Sequence, residues 1–147
     1  MENHNSQLLN AIFKNVTMAT HAIDTIRDKI SNKKLLKLLE KQNGIYERIT
    51  AECKALASEI SQDLQAINPF AKMSSSATIN LKTMMNDETN HISEMLIQGT
   101  TMGITDIIKS IGEFNTANKE IKNVATELQH SEEEFVDSLK TFLTKWF

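Results

Sequence analysis

The sequence predicts an all-α protein, an up-down four-helix bundle formed by a single domain over residues 1-147. Only one proline and four glycines interrupt the 147 residues, so little in the chain breaks helices. Three long segments also repeat apolar residues in alternating steps of three and four, the pattern of a helix with one buried face, and a fourth is apolar or small on nearly every side. A short extra helix is expected in the crossover between helices two and three. The predicted helices cover residues 5-30, 33-64, 70-86, 90-112 and 118-146.

The first two helices each carry one apolar stripe. Between them, Ser31 and Asn32 offer a turn and an N-cap, and such a short loop predicts an antiparallel pair. Gln42 is the one clear polar residue on the second stripe, where a lone amide more often fixes register than binds a ligand. We expect Cys53 to be a small buried side chain rather than a nucleophile. The stripe residues are Leu9, Ile12, Val16, Ala19, Ile23, Ile26 and Ile30, followed by Leu35, Leu39, Gln42, Tyr46, Ile49, Cys53, Leu56 and Ile60.

The second helix must end or kink around residues 66-69, because Pro69 disfavours the helical conformation of the residue before it. A third, short helix is predicted over residues 70-86. The polar residues from Asn86 to Asn90 then predict a break. The alternative is one continuous helix over residues 75-112, which would be ~55 Å long and would project from the bundle.

The helix over residues 90-112 is predicted to be buried on nearly every side, with the other helices wrapped around it. Its apolar residues occupy two faces instead of one stripe. Gly99 and Gly103 lie four residues apart and would let a neighbouring backbone approach. The two predicted faces consist of Ile92, Met95, Leu96 and Met102, and of Ile97, Ile104 and Ile108.

The final helix follows a turn at residues 115-118 and carries the last stripe. Glu132 falls on that stripe, which makes it the strongest candidate for a buried carboxylate, either protonated or paired. The stripe residues are Ile121, Ala125, Leu128, Glu132, Phe135, Leu139, Phe142 and Trp146.

Composition and motifs exclude several classes of function. A formal charge of −3 without a Lys/Arg block argues against a nucleic-acid surface. The longest charge-free apolar stretch, Met95 to Thr105, is too short to cross a membrane. The single cysteine permits no intrachain disulfide, and the N-terminus lacks a secretory pattern, so we expect a cytoplasmic protein. No nucleophile elbow, phosphate loop, dinucleotide fingerprint or zinc helix is present. We therefore assign no catalytic, cofactor-binding or metal residue and no small-molecule substrate.

The spacing Glu-x-x-His occurs twice, at Glu88 and His91 and again at Glu127 and His130. Di-metal bundles use this spacing on two helices and a glutamate from each of the other two, because side chains three apart project together. The stripes of the first two helices carry no carboxylate, and Glu127 and His130 lie off the last stripe. We expect no shared metal centre; the alternative is a site at His91 with Glu88 or Glu94.

The segment His91–Ile104, with the long helices around it, resembles small uncharacterised bacterial helical-bundle proteins of ferritin-like architecture. The resemblance covers most of the chain. It implies two antiparallel helix pairs joined by a long crossover at residues 64-86. It does not transfer metal ligands, since the glutamates expected on helices one and two are missing from the stripes.

The function predicted from these observations is a non-enzymatic structural or protein-interaction module with possible self-association. One alternative is a ferritin-like metal-binding or oxidase protein that uses Glu88 and His91. A second alternative is peripheral association with a membrane through the C-terminal helix, from Phe135 to Phe147.

Overall fold

The computed structural model describes residues 3–60 and 88–143, which form four α-helices and no strand. These helices are α1 (His4–Ile26), α2 (Lys33–Glu59), α3 (Thr89–Glu113) and α4 (Lys119–Lys140). The prediction of an all-helical protein is confirmed, and the four helices are compatible with a bundle. The predicted helix at 70-86 and the predicted helix ends at 61-64 and 144-146 lie outside the described residues.

Asparagine side chains begin the first two helices. Asn3 Oδ1 accepts hydrogen bonds from the backbone N–H groups of Asn5 (3.0 Å) and Ser6 (3.4 Å). Asn32 Oδ1 accepts one from the N–H of Leu35 (3.0 Å), which confirms the N-cap predicted at this position. Each cap satisfies backbone donors that have no partner within the helix.

Two helices end earlier than their stripes predicted. α1 ends at Ile26 instead of residue 30, and one 3-10 turn, Arg27–Lys29, follows it. Ile30 still packs against the core, but from an extended backbone (ψ 119°), so its spacing misled the prediction. α4 ends at Lys140 instead of residue 146, where the Thr141 hydroxyl donates to the Ser138 carbonyl (2.7 Å).

α3 begins at Thr89, because Glu88 has an extended backbone (φ −67°, ψ 134°). A continuous helix would need a ψ of about −42° at this residue. The break expected before the third long helix is therefore confirmed at Glu88. The alternative of one helix over residues 75-112 is wrong.

Side-chain contacts establish the directions of the helices. Asn43 Nδ2 donates to Asp24 Oδ1 (3.3 Å), and Cys53 Sγ donates to the Leu9 carbonyl (3.4 Å). Because later residues of α2 meet earlier residues of α1, the two helices are antiparallel. α1 and α4 each pack against both α2 and α3, and they also touch each other across the centre.

The turn between α3 and α4 is fastened to the start of α1. His4 Nδ1 accepts a hydrogen bond from the Thr116 N–H (3.2 Å), and Asn5 Oδ1 accepts one from the Asn118 N–H (2.6 Å). The His4 ring also meets the Phe114 ring edge-on, with centroids 5.6 Å apart. The predicted turn is confirmed, and α4 leaves it in the same direction as α1, antiparallel to α3.

The core contains nearly all of the three predicted stripes. Their periodicity places one face of α1, α2 and α4 against the other helices, and burial of that face is the main stabilising contribution. Gln42, Cys53 and Glu132 are buried with the apolar residues, which confirms the burial predicted for Cys53. The buried stripe residues are Leu9, Ile12, Val16, Ile23, Ile26, Leu35, Leu39, Gln42, Tyr46, Ile49, Cys53, Ile121, Ala125, Leu128, Glu132, Phe135 and Leu139.

The prediction that the third long helix is buried on all sides is wrong. α3 packs against α1 and α4 and buries only Ile92, Ser93, Leu96 and Ile107. Met102 is 69% exposed and Ile108 is 45% exposed. The reason is geometric: a helix of a four-helix bundle contacts neighbours on one side only, so its outer side faces solvent whatever residues stand there.

Candidate functional site

A buried polar cluster joins all four helices at the middle of the bundle. Glu132 of α4 lies at its centre and is 1% exposed. Its Oε1 accepts a hydrogen bond from Asn15 Nδ2 of α1 (3.0 Å), and its Oε2 accepts one from the Tyr46 hydroxyl of α2 (3.0 Å). Asn15 Nδ2 also donates to the Gly103 carbonyl of α3 (3.1 Å). These hydrogen bonds therefore link one residue from each of the four helices.

The hydrogen bonds suit the ionised form of Glu132, because both carboxylate oxygens accept from donors. A protonated Glu132 would need one neighbour to turn and accept a hydrogen bond instead. Two buried atoms beside the cluster, Asn15 Oδ1 and Gln42 Nε2, have no hydrogen-bond partner among the described residues. Both oxygens of the Glu132 carboxylate therefore have a donor, while these two neighbouring polar atoms have no partner in the part of the chain that the structure describes.

Burial controls the electrostatics of the cluster. Loss of hydration raises the pKa of Glu132 to about 7, although the hydrogen bonds from Asn15 and Tyr46 act in the lowering direction. Burial likewise raises the pKa of Tyr46 well above its usual value, and the neighbouring Glu132 carboxylate raises it further. Burial also raises the pKa of the Cys53 thiol to about 12, which makes this cysteine unreactive.

Asn15 is the member of this cluster that the sequence interpretation missed. It lies beside the recognised stripe of α1, in a second row with the buried Leu8 and the half-buried Ala11. The spacings of three and four residues from Leu8 to Ala11 to Asn15 indicate that the three residues share one side of the helix, and this pattern is the signal that the sequence contains. Gly103 was recognised as a place for close approach, and its missing side chain admits Asn15 and Glu132. The same expectation for Gly99 is wrong, because a Cβ there would meet nothing within 4 Å.

Alanine substitutions at the two glycines are expected to differ. Gly99→Ala should stabilise the protein by about 0.5–1 kcal/mol, since alanine is the better helix former and the site is open. At Gly103, the new Cβ would lie 3.2 Å from Asn15 Nδ2, whose two hydrogen bonds resist movement. We expect Gly103→Ala to be less stable than Gly99→Ala by about 1 kcal/mol or more in urea unfolding. Equal free energies of unfolding would contradict the close approach.

The two Glu-x-x-His sequences do not meet. Gly103 and Glu132 lie at the same height along the bundle axis. His91 lies about three helical turns farther from the α3–α4 turn than Gly103, whereas His130 lies slightly closer to that turn than Glu132. Their separation along the axis is ~20 Å. Glu127 instead accepts a hydrogen bond from Arg48 Nη1 (2.8 Å). In the part of the chain that the structure describes, no three His, Cys, Asp or Glu side chains are grouped as a metal ion would require.

A shallow groove of about 500 Å³ runs between α2 and α4. Arg48, Glu127, His130 and Glu134 line it, so it carries both signs of charge. Arg48 also donates to Glu52 (2.9 Å), and these pairs are exposed to solvent. Exposed ion pairs contribute little stability, and the groove contains no buried polar group that would orient a ligand.

The apolar stripe of α4 is used inside the bundle. Phe135 is 3% exposed and Leu139 is fully buried, so the described part of this helix has no apolar face left for a lipid surface. None of the four described helices combines the length and hydropathy that a membrane-spanning segment requires.

The outer face of α3 differs from the outer side of α4. We define the α3 outer face as the exposed residues Glu94, Gln98, Thr101, Met102, Thr105 and Lys109. Between Glu94 and Asp106 it carries no charge. The outer side of α4 presents Glu133, Glu134, Asp137 and Lys140 over a shorter distance. The middle of the α3 outer face therefore carries less charge than the outer side of α4.

These features offer two kinds of chemistry. The central cluster can exchange one proton at Glu132, whose side chain is 1% exposed. The middle of the α3 outer face, between Glu94 and Lys109, can bury methionine and threonine side chains against another surface. No protein-family model matches this chain, and comparison with curated proteins and with solved structures returns no significant match to either.

Proposed function

We propose that this chain is a non-enzymatic helical-bundle module that binds another protein through the α3 outer face. The observation that carries the proposal is the exposure of Met102, at 69%, in the middle of a charge-free stretch of helix. A solvated helix face normally carries charged residues, and an uncharged strip with an exposed methionine is typical of contact surfaces.

The bundle itself supplies a rigid support for such a surface. The polar cluster at Glu132 fixes the register of all four helices, so α3 presents its outer face in one defined position. The ferritin-like arrangement belongs to this proposal: α1 with α2 and α3 with α4 are the antiparallel pairs that such an architecture requires. A cytoplasmic location also belongs to it, in keeping with the single, buried and unpaired Cys53.

Photo-crosslinking tests the proposal. A photoreactive phenylalanine analogue replaces Met102 in the full chain, which is then irradiated in extract of the source cells. We expect a discrete crosslinked product, because a bound partner must cover this position. An excess of unmodified protein should suppress the product, whereas an excess of the Met102→Glu variant should not.

The matched control places the same photoreactive residue at Lys37, an exposed position of α2. Lys37 should yield no product that unmodified protein suppresses. The proposal fails if position 102 crosslinks no more than position 37, or if Met102→Glu competes as well as the unmodified chain.

A further inference from the structure

We infer that the partner of the α3 outer face is a second copy of this chain, packed antiparallel about a two-fold axis that passes between Thr101 and Met102. This inference rests on the proposed function and specifies its partner. It comes from the distribution of charge along the face. Glu94 and Lys109 lie at equal distances on either side of the axis, as do Gln98 and Thr105.

A two-fold axis makes every contact occur twice with the roles exchanged. Antiparallel pairing therefore places Glu94 of each copy opposite Lys109 of the other, ~11 Å from the axis on both sides. Gln98 then faces Thr105, and the two Met102 side chains meet near the axis. All of these residues are exposed in the isolated chain, so the face is available for this contact.

The same charges disfavour other arrangements. Parallel pairing would set Glu94 against Glu94 and Lys109 against Lys109, and both contacts are repulsive. The remaining charge at the edge of the face, Asp106, comes level with Ile97 of the second copy in the antiparallel arrangement and therefore meets no acidic residue. A strongly acidic or basic partner would match only one end of the face, because the two ends carry opposite charges.

The expected dimer is weak. One helix pair buries less than the ~1,600 Å² of a standard protein interface. We therefore expect a dissociation constant in the micromolar range or weaker. The two ion pairs at the ends of the contact would then supply its orientation more than its affinity.

Sedimentation equilibrium over micromolar to millimolar concentrations tests the inference with four proteins: the unmodified chain, Glu94→Lys, Lys109→Glu and the double charge exchange. Each single reversal should weaken the dimer about tenfold or more, since it converts both ion pairs into repulsions. The double exchange should return the dissociation constant to within about threefold of the original. Glu47→Lys, an exposed reversal on α2, is the matched control and should leave it unchanged.

Cysteine pairing tests the direction independently of affinity. Glu94→Cys and Lys109→Cys chains are oxidised with glutathione disulfide, separately and as a mixture; Cys53 is buried and does not interfere. Antiparallel pairing predicts that the mixture forms disulfide-linked dimers much faster than either chain alone. Thermal unfolding by circular dichroism confirms that each variant is folded.

A monomer at every concentration would overturn the inference, as would a dimer that resists both charge reversals or is not restored by the double exchange. Rapid pairing of Glu94→Cys with itself would overturn the antiparallel direction. A monomer would leave the proposed function open to a different protein, which the crosslink at position 102 in extract would reveal by its mass. Absence of that crosslink as well would remove the proposed function itself.

Discussion

Replacing Glu132 with glutamine is expected to remove a pH dependence from the stability of this protein. Glutamine keeps an acceptor for Asn15 and can donate to the Tyr46 oxygen, but it carries no charge. The unmodified protein should lose stability relative to Glu132→Gln as the pH rises from about 5 to 8. We expect the difference between their free energies of unfolding to change by about 2–3 kcal/mol over this range.

The direction follows from the pKa of Glu132, which burial raises from 4.5 to about 7 in the folded chain. Between these values the folded state binds more protons than the unfolded state, so the free energy of unfolding falls with rising pH. The stabilising contribution of the protonated form is complete below pH 4.5 and is lost as the pH passes through 7. This is the reverse of the usual behaviour of a carboxylate in a salt bridge.

Urea unfolding followed by circular dichroism at several pH values measures the effect. Glu134→Gln removes a carboxylate two residues away that is exposed to solvent, so it should leave the pH dependence of the unmodified protein intact. Parallel stability curves for the unmodified protein and Glu132→Gln would contradict the burial of an ionisable Glu132.

Alanine at Ile107 should destabilise the protein much more than alanine at Ile108. Ile107 is 1% exposed and packs in the core, so its truncation should cost about 2–5 kcal/mol in lost burial and cavity formation. Ile108 is 45% exposed on the next position of the helix. Its truncation should cost less than about 1 kcal/mol.

The two variants are controls for each other, because they remove the same atoms from neighbouring residues of one helix. Urea unfolding at low protein concentration keeps any association of the α3 outer face out of the comparison. Equal costs would mean that both sides of α3 are buried, as the sequence pattern first suggested. A large cost at Ile108 alone would reverse the assignment of the two faces.

Much of the fold was predictable because three helices have one clear stripe. The alternating steps from Leu9 to Ile26, from Leu35 to Cys53 and from Ile121 to Leu139 each identify a single buried face, and the helices bury that face. The polar run before Thr89 also predicted the break that the extended backbone of Glu88 makes. Periodicity succeeds here because burial follows directly from which side of a helix is apolar.

The same reasoning failed for α3, where apolar and small residues surround the helix. Hydrophobicity identifies residues that can be buried, but it does not say how many neighbours a helix has. Ile107 was not singled out and is in the core, whereas Met102 and Ile108 were assigned to buried faces and are exposed.

The candidate site was predictable in part. The position of Glu132 on the last stripe marked it as the strongest candidate for a buried carboxylate without deciding its burial, and the structure buries it. Its partners were not predictable, since Asn15, Tyr46 and Gly103 come from three other helices, and their contacts depend on the relative rotation and register of those helices. A periodic pattern describes each helix about its own axis. It contains no information on how one helix is rotated or shifted relative to another.

By itself, then, the sequence determined the helical class, the buried faces of α1, α2 and α4 and the place of a candidate buried carboxylate on one of them, because these depend on local spacing. Only the tertiary structure decided which donors hold Glu132 and which side of α3 is left to solvent. Both depend on how the four helices are rotated and packed against one another, because each helix buries only the side that faces its neighbours.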